Sequence, residues 1–263
     1  MKGIQINSTE RPVISIITAC FNSETNIEQT IQSVIGQTYP NIEYIIIDGG
    51  STDKTLDILK KYHDKITKLV SEPDSCVYDA MNKGILISTG EIIQFLNSGD
   101  YLHSQDTLEK VAKVFSDRSI YGVYGNVEIF SDSRKKTVVR GFKVTYNSLL
   151  YRRICHQALF VRRSLFNEIG LFSTTLKYSS DHEFIVKSIK RYPSNFLYLN
   201  MTLAKYRQGG MSCKMMERTK FEDLKIIRAN YNWIQFLFGA FICAIVILKY
   251  KIPQILKIER YTY

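Results

Sequence analysis

The clearest feature of the hydrophobic pattern is an apolar run that ends abruptly in polar and glycine residues. Residues Ile42–Ile47 are almost all apolar or aromatic, and Ile45–Ile47 is an unbroken β-branched series. Such a run is typical of a strand that is buried on both faces, as in a parallel sheet. It is followed by Asp48-Gly49-Gly50 and by Ser51-Thr52-Asp53, which can begin a helix. Taken alone, the pattern also fits an ordinary strand, turn and helix.

The same alternation of buried strand and helix occurs on both sides of this unit. Val13–Ala19 predicts an earlier strand, and Ile92–Leu96 predicts a later one that ends in Asn97-Ser98-Gly99-Asp100. Two parallel strands joined by a helix form a βαβ unit, whose crossover is nearly always right-handed. Open α/β sheets bind ligands at the carboxyl ends of their strands. Two strand ends that each carry an acid beside glycine therefore predict a cleft with Asp48 and Asp100 on its walls.

The second half of the chain continues with a mixture of strands and helices. The segments for which the pattern predicts a strand are Tyr121–Phe130, Ile154–Val161 and Phe196–Met201. The segments for which it predicts a helix are Leu108–Phe115, Arg162–Phe172 and, after a cap at Ser180, a segment that reaches Arg191. His156 and Gln157 form a polar pair near the start of the second of these strands.

The C-terminal part differs in character from the rest of the chain. Met215–Asn230 has the pattern of a basic amphipathic helix, and Trp233–Leu248 has sixteen residues with only Gln235 strongly polar. A membrane-spanning helix needs about 20 apolar residues. The basic residues after this segment favour contact with anionic lipid, whereas the alternative is a terminal helix packed on the domain or on a second subunit. We expect a domain over residues 1–212 and a helical, membrane-associating extension over 213–263.

Composition narrows the classes of partner. The 263 residues are 45% hydrophobic and 23% charged, which suits one large α/β domain with an appendage. The net charge of +10 indicates anionic partners such as phosphates, an acidic membrane surface or nucleic acid. The five scattered cysteines predict neither a disulfide framework nor a zinc site, and they indicate a reducing cytoplasm. Residues 1–11 lack the apolar core of a signal peptide.

Several short motifs, taken together, resemble the family 2 glycosyltransferases, which are inverting enzymes of the GT-A fold. In chain order these motifs are Ser15-Ile16-Ile17-Thr18, Phe21-Asn22, Gln37-Thr38-Tyr39-Pro40-Asn41-Ile42-Glu43, Asp48-Gly49-Gly50-Ser51-Thr52-Asp53, Ser71-Glu72-Pro73-Asp74, Tyr78-Asp79-Ala80-Met81-Asn82-Lys83-Gly84, Phe95-Leu96-Asn97-Ser98-Gly99-Asp100, His156-Gln157 and Ser180-Asp181-His182-Glu183. Their order and spacing over about residues 12–212 carry the resemblance. The most similar enzymes are bacterial ones that build capsule, O-antigen or colanic-acid-type exopolysaccharide.

The resemblance implies a fold and a reaction. The fold is a Rossmann-like, mainly parallel central sheet flanked by helices, with the nucleotide-sugar half at about 12–100 and the acceptor half at about 101–212. The reaction moves a sugar from a nucleotide-diphosphate sugar, commonly a UDP-sugar, to a saccharide or lipid-linked saccharide. The enzyme would be cytoplasmic and peripheral at the inner face of the cytoplasmic membrane.

The resemblance assigns the donor to one set of residues. These are Thr18, Ala19, Phe21, Asn22, Asp48, Gly49, Asp79, Lys83, Asn97, Ser98 and Arg207. Within this set, Asp48 would hydrogen-bond the nucleoside, and Asp79 and Lys83 would present one helix face to the donor. The alternative for Asp79 and Lys83 is a solvated ion pair. Arg207 and the loop Gly209-Gly210-Met211-Ser212 would close over the donor, and the alternative is a plain glycine-rich loop.

The resemblance also implies a divalent cation that is bound together with the donor diphosphate. Carboxylate and phosphate oxygens suit Mg²⁺ or Mn²⁺. Asp100 stands where the acidic metal motif of the family ends, and His182 is a further candidate ligand. Family members commonly carry acids at the positions of Asn97 and Gly99 as well, so this chain has fewer carboxylates there. The alternative is that a cation such as Lys83 neutralises the diphosphate without a metal.

Asp181 is the expected general base of the reaction. Inversion requires a carboxylate that takes the proton of the acceptor hydroxyl as its oxygen attacks the anomeric carbon. Glu183 is the second candidate, although an acid at a helix start is favourable for the helix dipole whatever its chemistry. His156 and Gln157 are assigned to the acceptor, and the alternative for the histidine is a structural role.

Two other classes of protein are compatible with parts of the sequence. A nucleotidyltransferase usually carries a glycine-rich phosphate loop after its first strand, whereas Cys20–Glu24 contains no glycine. A non-catalytic protein that binds nucleic acid or a membrane would fit the net charge of +10. However, the basic residues are spread widely and no aromatic-rich binding motif accompanies them, so we expect no nucleic-acid partner. The sequence leaves the donor sugar, the acceptor and the oligomeric state open.

Overall fold

The computed structural model describes residues 11–130, 137–207 and 215–255. Its strands are β1 (Ile14–Cys20), β2 (Ile42–Asp48), β3 (Lys68–Ser71), β4 (Ile92–Phe95), β5 (Tyr101–Leu102), β6 (Gly122–Phe130), β7 (Val138–Arg140), β8 (Leu159–Arg162) and β9 (Phe196–Arg207). Its α-helices are α1 (Ile27–Ile35), α2 (Thr55–Lys61), α3 (Val77–Ile87), α4 (Thr107–Phe115), α5 (Ser164–Ile169), α6 (Ser180–Arg191), α7 (Met216–Asn230) and α8 (Trp233–Ile255). Two short 3-10 helices span Asn147–Leu150 and His156–Ala158.

The strands of the described residues form one sheet in the order β3-β2-β1-β4-β8-β6-β9-β5, with β7 paired to β6. β1 pairs in parallel with β2 and with β4, and β2 pairs in parallel with β3. β8 is antiparallel to β4 and to β6. The predicted α/β architecture with a mainly parallel central sheet is therefore confirmed, and the antiparallel pairs lie in its second half.

Alternating side chains of the central strands pack on opposite faces of the sheet. Ile17 and Ile45 belong to the hydrophobic core that also contains apolar residues of α3, α6 and α7. Ile16 and Ile46 belong to the core on the other face, with apolar residues of α1 and α4. Helix α3 lies close to β1, because a Cβ atom at Gly84 would be 2.4 Å from the side chain of Ile17. This glycine allows the helix that follows the second βαβ unit to pack tightly over the sheet.

Three predicted boundaries in the second half are wrong, and neighbouring contacts explain each one. Residues 156–158 form a 3-10 helix, and β8 starts at Leu159 because its pairing with β4 runs from Gln94 to Ile92. Helix α5 begins only after Arg162, because Arg162 still pairs with β4. The helix ends before Gly170, whose φ is +97°. Strand β9 continues to residue 207 because it pairs with β6 along its length.

The predicted cap at Ser180 is also wrong. Ser179 occupies the N-cap position of α6, and no side chain there makes a capping hydrogen bond. The hydroxyl of Ser179 is instead bonded to Asp223 of α7, at 3.2 Å. A tertiary contact has therefore replaced the local cap that the sequence pattern favours.

The two C-terminal helices pack directly on the sheet domain. Ile226 and Ile227 of α7 are each 1% exposed and lie in the same core as α6. Gly239 and Cys243 bring α8 against α7, and a Cβ at Gly239 would be 2.9 Å from Ile227. The predicted division at residues 212 and 213 stays a prediction, but α7 shares the core of the domain. Within the described residues, no helix combines the length and apolar character needed to cross a membrane.

Candidate active site

The carboxylate of Asp48 closes the loop after β2 from the inside. Its side chain is fully buried. It accepts hydrogen bonds from the backbone N–H of Gly50 at 3.2 Å and of Ser51 at 3.0 Å, and from the hydroxyl of Ser71 at 2.7 Å. Because both oxygens are engaged and none of the residue is exposed, Asp48 holds the loop together. Asp48 therefore has a structural role in this loop, and the predicted hydrogen bond between Asp48 and the nucleoside stays a prediction.

Thr18 and Ala19, which were predicted to line the base pocket, lie inside the sheet. Thr18 is 0% exposed and its hydroxyl donates to the carbonyl of Leu96 at 2.7 Å. Ala19 is 7% exposed and belongs to the core. These consecutive side chains point to opposite faces of the sheet, and both faces of β1 are covered. The strand can therefore contribute to a pocket only beyond its end.

Asn22 joins the loops that follow β1 and β2. Its φ of +46° lies in the left-handed region, which asparagine tolerates better than most residues. Its Oδ1 accepts the backbone N–H of Thr52 at 2.9 Å, and its own N–H donates to the hydroxyl of Ser51 at 2.8 Å. Asn22 therefore fixes the backbone shape of the two loops at the carboxyl ends of β1 and β2.

Phe21, Gly49 and Asp74 lie side by side at the same edge of the sheet. Phe21 is 61% exposed, which is unusual for so large an apolar side chain. A Cβ built on Gly49 would lie 3.2 Å from Oδ2 of Asp74 and 3.4 Å from the ring of Phe21. Glycine at position 49 therefore lets the exposed ring of Phe21 and the carboxylate of Asp74 approach the same point of the backbone, where a side chain would be crowded. Asp74 stands in the motif Ser71-Glu72-Pro73-Asp74, but the resemblance to the family assigned it no role in binding or catalysis.

Lys83 of α3 is held beside Asp74 by the loop before the helix. Its Nζ lies 2.8 Å from carboxylate oxygens of both Glu72 and Asp74. These hydrogen bonds, first that of Asp74 and then that of Glu72, raise the pKa of Lys83 above its usual value. Asp79 instead accepts the backbone N–H of Ser75 at 2.9 Å, which lowers the pKa of its carboxyl group. Among the described contacts, each residue thus bonds to the loop over 72–75, and neither forms the alternative ion pair with the other.

A second group of polar side chains surrounds Asp181 at the start of α6. Oδ2 of Asp181 lies 3.3 Å from Nδ1 of His156, and Oδ1 accepts a hydrogen bond of 2.8 Å from the hydroxyl of Tyr78. Nε2 of His156 lies 3.4 Å from Nδ2 of Asn97, which follows β4. The fold thus brings together the predicted base, the predicted acceptor histidine and a predicted donor residue. Tyr78 is an addition that sequence reasoning missed.

The charges in this group stabilise one another. Burial alone would raise the pKa of Asp181, but the hydrogen bond and charge of His156, together with Arg153 and Tyr78, hold it well below its usual range. Burial alone would lower the pKa of His156, but the hydrogen bond and charge of Asp181, with the charge of Asp100, raise it. Asp181 is therefore an ionised acceptor, and His156 favours the charged imidazolium.

The loop after β4 carries buried oxygens that have no hydrogen-bond partner among the described residues. They are Oδ1 of Asn97 and Oγ of Ser98. These two oxygens and the carboxylate of Asp100, which is 6% exposed, form an oxygen-rich set that fits a hard cation.

His182, the other predicted metal ligand, faces a different environment. It is 4% exposed, and burial followed by the charge of Arg153 lowers its pKa to about 4. The charge of Asp100 acts on His156 and on Cys155, and it is not among the main influences on His182. No group of three or more His, Cys, Asp or Glu side chains placed to hold a metal is found within the described residues. These contacts favour Asp100 with Asn97 and Ser98, rather than Asp100 with His182.

A cavity of about 430 Å³ opens beside Asp181 and His156. The residues that line it are Tyr124, Gly125, Val127, Ile129, Arg140, Gly141, Phe142, Tyr151, Arg152, Arg153, Ile154, Cys155, His156, Gln157, Asp181, Tyr206, Thr219 and Lys220. Gln157, predicted for the acceptor, is part of the wall, and its carbonyl accepts a hydrogen bond of 2.8 Å from Gln94. Glu183 is not among the lining residues, and it lies 3.0 Å from Lys187 in an ion pair along α6. The cavity therefore favours Asp181 over Glu183 as the base.

Arg153 and Asp223 fix the start of α6 from beneath. The guanidinium of Arg153 bonds to Ser179 at 2.6 Å and to the carboxylate of Asp223 on α7. Both residues are separated from α6 by many positions, so no local motif could have revealed this contact. Arg207 ends β9, and its side chain and the predicted closing loop at 209–212 lie outside what the structure describes.

Comparison with known proteins gives the class to which this fold and site belong. The model of the family described as Glycosyl transferase family 2 matches residues 15–170, which is more than half of the chain. A PGL/p-HBAD biosynthesis glycosyltransferase of Mycobacterium bovis is 32% identical over 213 residues, covering 79% of this chain and 82% of that protein. An uncharacterized glycosyltransferase of Haemophilus influenzae is 28% identical over 247 residues, covering 88% of this chain and 97% of that protein.

Solved structures show the same fold at lower identity. The mannosyltransferase PcManGT from Pyrobaculum calidifontis, solved with GDP-Man and Mn²⁺, has a TM-score of 0.66 and 19% identity over 89% of this chain and 70% of that chain. S. aureus TarS 1–349, solved with UDP-GlcNAc, has a TM-score of 0.64 and 20% identity over 83% of this chain and 66% of that chain. This chain spans 39% of the longer TarS structure.

The chain belongs to glycosyl transferase family 2. It is a glycosyltransferase with a GT-A fold, as the motifs at Asp48, Asp100 and Asp181 predicted.

Proposed function

We propose that this enzyme is an inverting glycosyltransferase in surface polysaccharide or glycolipid biosynthesis. It takes a sugar from a nucleotide-diphosphate sugar, of which a UDP-sugar is the first candidate, and transfers it to a hydroxyl group of a saccharide or lipid-linked saccharide. The observation that carries this proposal is the position of Asp181 on the wall of a cavity, 3.3 Å from His156, beside the polar end of β4.

The donor lies along the carboxyl edge of β1, β2 and β4. Its base stacks on the exposed ring of Phe21, beside Gly49 and the carboxylate of Asp74, which can accept a hydrogen bond from the base. Lys83, 2.8 Å from Asp74, holds this carboxylate in place. The diphosphate reaches the loop of Asn97, Ser98 and Asp100, whose buried oxygens are suited to a shared cation.

The acceptor enters the cavity with its hydroxyl directed at Asp181. The hydroxyl oxygen attacks the anomeric carbon, the bond from that carbon to the diphosphate oxygen breaks, and the proton of the hydroxyl passes to the Asp181 carboxylate. A low pKa of Asp181 does not prevent this step, because the attacking hydroxyl becomes strongly acidic as its oxygen forms the new bond. Tyr78 and His156 hold the carboxylate in place through its two oxygens.

A divalent cation, Mg²⁺ or Mn²⁺, would offset the charge that develops on the departing diphosphate. Asp100, Asn97 and Ser98 would hold it together with oxygens of the donor, because one carboxylate does not complete the set of about six oxygens that such an ion needs. His156, whose pKa is raised by Asp181 and Asp100, adds positive charge to the same edge of the sheet.

The test is a screen of the purified full-length chain against UDP-, GDP- and dTDP-sugars, with release of the nucleoside diphosphate as the signal. We expect release from one class of donor and a higher melting temperature in the presence of the matching nucleotide. Nuclear magnetic resonance of a transferred product shows whether the anomeric configuration has inverted. A melting temperature that responds to single-stranded oligonucleotide and to no sugar nucleotide would refute the enzyme activity proposed here.

A further inference from the structure

Helix α8 presents an apolar face that the other described residues leave uncovered. The large apolar residues exposed on it are Trp233, Ile234, Leu237, Phe238, Phe241, Ile245 and Leu248. Their spacing of three and four residues places most of them on one side of the helix. The opposite side packs on the domain through Gly239 and Cys243. An exposed apolar stripe of this length usually marks a binding surface.

This face continues into the rim of the acceptor cavity. Tyr151, which lines the cavity and is 52% exposed, contacts Phe238 of α8. Their ring centroids are 6.5 Å apart, with the rings nearly perpendicular. Tyr151 therefore joins the rim of the cavity to the exposed face of α8.

Two cationic side chains stand in the same cavity without a carboxylate partner among the described residues. They are Arg140 and Arg152, and the guanidinium of Arg152 lies 4.8 Å from the ring centroid of Phe142. Lys220 in the same cavity differs, because it lies 2.8 Å from Asp223. Unpaired guanidinium groups are suited to bind phosphate.

Helix α7, which packs on α8, carries positive charge on its exposed side. Its exposed residues Arg218, Phe221, Lys225 and Arg228 follow one another at spacings of three and four, and therefore lie on one side of α7. Three cations and an aromatic ring on one side of a helix are typical of a surface that contacts anionic lipid headgroups. A second copy of this chain would carry the same positive charges, so its docking here would bring like charges together.

We propose that the exposed face of α8 docks in the headgroup region of an anionic bilayer and presents the Asp181 cavity to an acceptor built of a sugar, a phosphate and a lipid chain. The sugar hydroxyl reaches Asp181, the phosphate meets Arg140 and Arg152, and the chain continues along α8. This inference rests on the proposed function, because it names the class of acceptor for the same cavity.

The protein contains a single tryptophan, Trp233, and it lies on the proposed surface with 71% of its area exposed. Its fluorescence therefore reports docking of the full-length chain without a label. We expect a blue shift with vesicles of equal phosphatidylglycerol and phosphatidylcholine, a smaller one with phosphatidylcholine alone, and quenching by brominated lipid chains. Unchanged emission with all vesicles would overturn the docking of α8 on a bilayer.

A pair of double variants separates this face from general apolar surface. Leu237→Glu with Phe241→Glu should weaken vesicle binding at least about tenfold. Two apolar side chains that enter the bilayer in the docked protein are then replaced by charges. Leu86→Glu with Leu197→Glu makes the same chemical change at two other exposed positions and should leave binding unchanged. Equal binding by both double variants would contradict the proposal. So would a dimer in light scattering that the first double variant abolishes without any vesicle binding by the parent.

The phosphate site is tested with single-chain amphiphiles below their micelle concentration. Dodecyl phosphate and dodecyl maltoside carry the same chain, and Trp233 fluorescence reports their binding. Arg152→Gln should weaken dodecyl phosphate about tenfold, the usual size of one lost charge-assisted hydrogen bond, and should leave dodecyl maltoside unaffected. Arg118→Gln, on another exposed surface, is the matched control. Equal loss of both amphiphiles would contradict phosphate recognition at Arg152.

The outcomes distinguish this inference from the proposed function. If vesicles leave Trp233 unchanged while a sugar nucleotide raises the melting temperature and is consumed, the inference fails and the glycosyltransferase activity stands. If vesicles shift Trp233 emission but no sugar nucleotide binds, the proposed function fails.

Discussion

The hydroxyl of Tyr78 donates a hydrogen bond of 2.8 Å to Oδ1 of Asp181, which lies 103 residues away in the chain. The other oxygen of this carboxylate faces His156 at 3.3 Å. Helix α3, which carries the donor-side residue Lys83, therefore also supports the proposed base on α6. One rigid element connects the two halves of the active site.

Tyr78→Phe should lower kcat by about tenfold and leave the KM for the donor nearly unchanged. The hydroxyl is removed, and one hydrogen bond to a charged acceptor contributes about 1.5–3 kcal/mol. The ring should keep its contact with Phe172, whose centroid lies 5.6 Å away. Tyr62→Phe is the matched control, because it removes a hydrogen bond of 2.9 Å to Glu28 on a distant surface. Equal kcat values for parent and Tyr78→Phe would show that this contact does not position the base.

The pairing of His156 with Asp181 predicts a pH dependence of stability. Asp181 raises the pKa of His156 above its usual value of 6.5, so the imidazolium stabilises the fold fully below about pH 6.5. This stabilisation is lost as the pH rises through the raised pKa of the folded protein. His156→Gln should therefore destabilise the protein more at about pH 6 than at about pH 9 in urea unfolding. The opposite order would contradict a charged His156, and His63→Gln, at an exposed histidine, is the control.

The close contacts around Gly49 predict that a larger side chain at this position weakens nucleotide binding. Gly49→Val would place methyl groups between Asp74 and Phe21, where a Cβ alone is already 3.2 Å from the carboxylate. We expect the Kd for the nucleotide to rise about tenfold or more with little change in melting temperature. Gly50→Ala should behave in the opposite way, because Gly50 has a φ of +78° and an L-residue there costs about 1 kcal/mol of stability. Unimpaired nucleotide binding by Gly49→Val would show that the base lies elsewhere.

The metal is expected to bind through both protein and donor. Asp100 is the single carboxylate of the oxygen set at the end of β4, so manganese should bind the free protein weakly and the complex with UDP much more tightly. Calorimetry with and without UDP measures this difference. Tight binding to the protein alone would contradict the shared site, and full activity in EDTA would contradict any role of a metal. Asp100→Ala should lose most of the activity, whereas Asp57→Ala, in a surface ion pair, should not.

The sequence predicted the parts of the fold that depend on continuous local patterns. The apolar runs of β1, β2 and β4 are fully or almost fully buried in the structure, and the helices between them follow the expected spacing. The resemblance also assigned His156, Asn97 and Asp181 to one active site. His156 and Asn97 meet because β8 is antiparallel to β4, so that the residues before β8 lie beside those that follow β4.

The sequence could not show which polar groups at the strand ends face inward. Asp48 and Thr18 stand in family motifs, but both side chains form hydrogen bonds inside the protein. Asp48 accepts one from the hydroxyl of Ser51, and Thr18 donates one to the carbonyl of Leu96. Conversely, Asp74 and Tyr78 acquire their positions from contacts across the chain. The same holds for Arg153 with Asp223, whose hydrogen bond joins α7 to the loop before β8. Such pairings depend on tertiary packing, for which the local pattern carries no signal.

The role of Asp181 is the central claim, and the Asp181→Asn variant tests it most directly. Asparagine keeps the shape of the side chain but cannot accept the proton of the acceptor hydroxyl. The measurement is the single-turnover rate of sugar transfer at saturating donor, together with the Kd for the nucleotide by calorimetry. We expect the rate to fall at least about 100-fold while the Kd stays within about threefold of the parent value. A rate that stays above about a tenth of the parent value, with the nucleotide bound normally, would contradict the assignment of Asp181 as the general base.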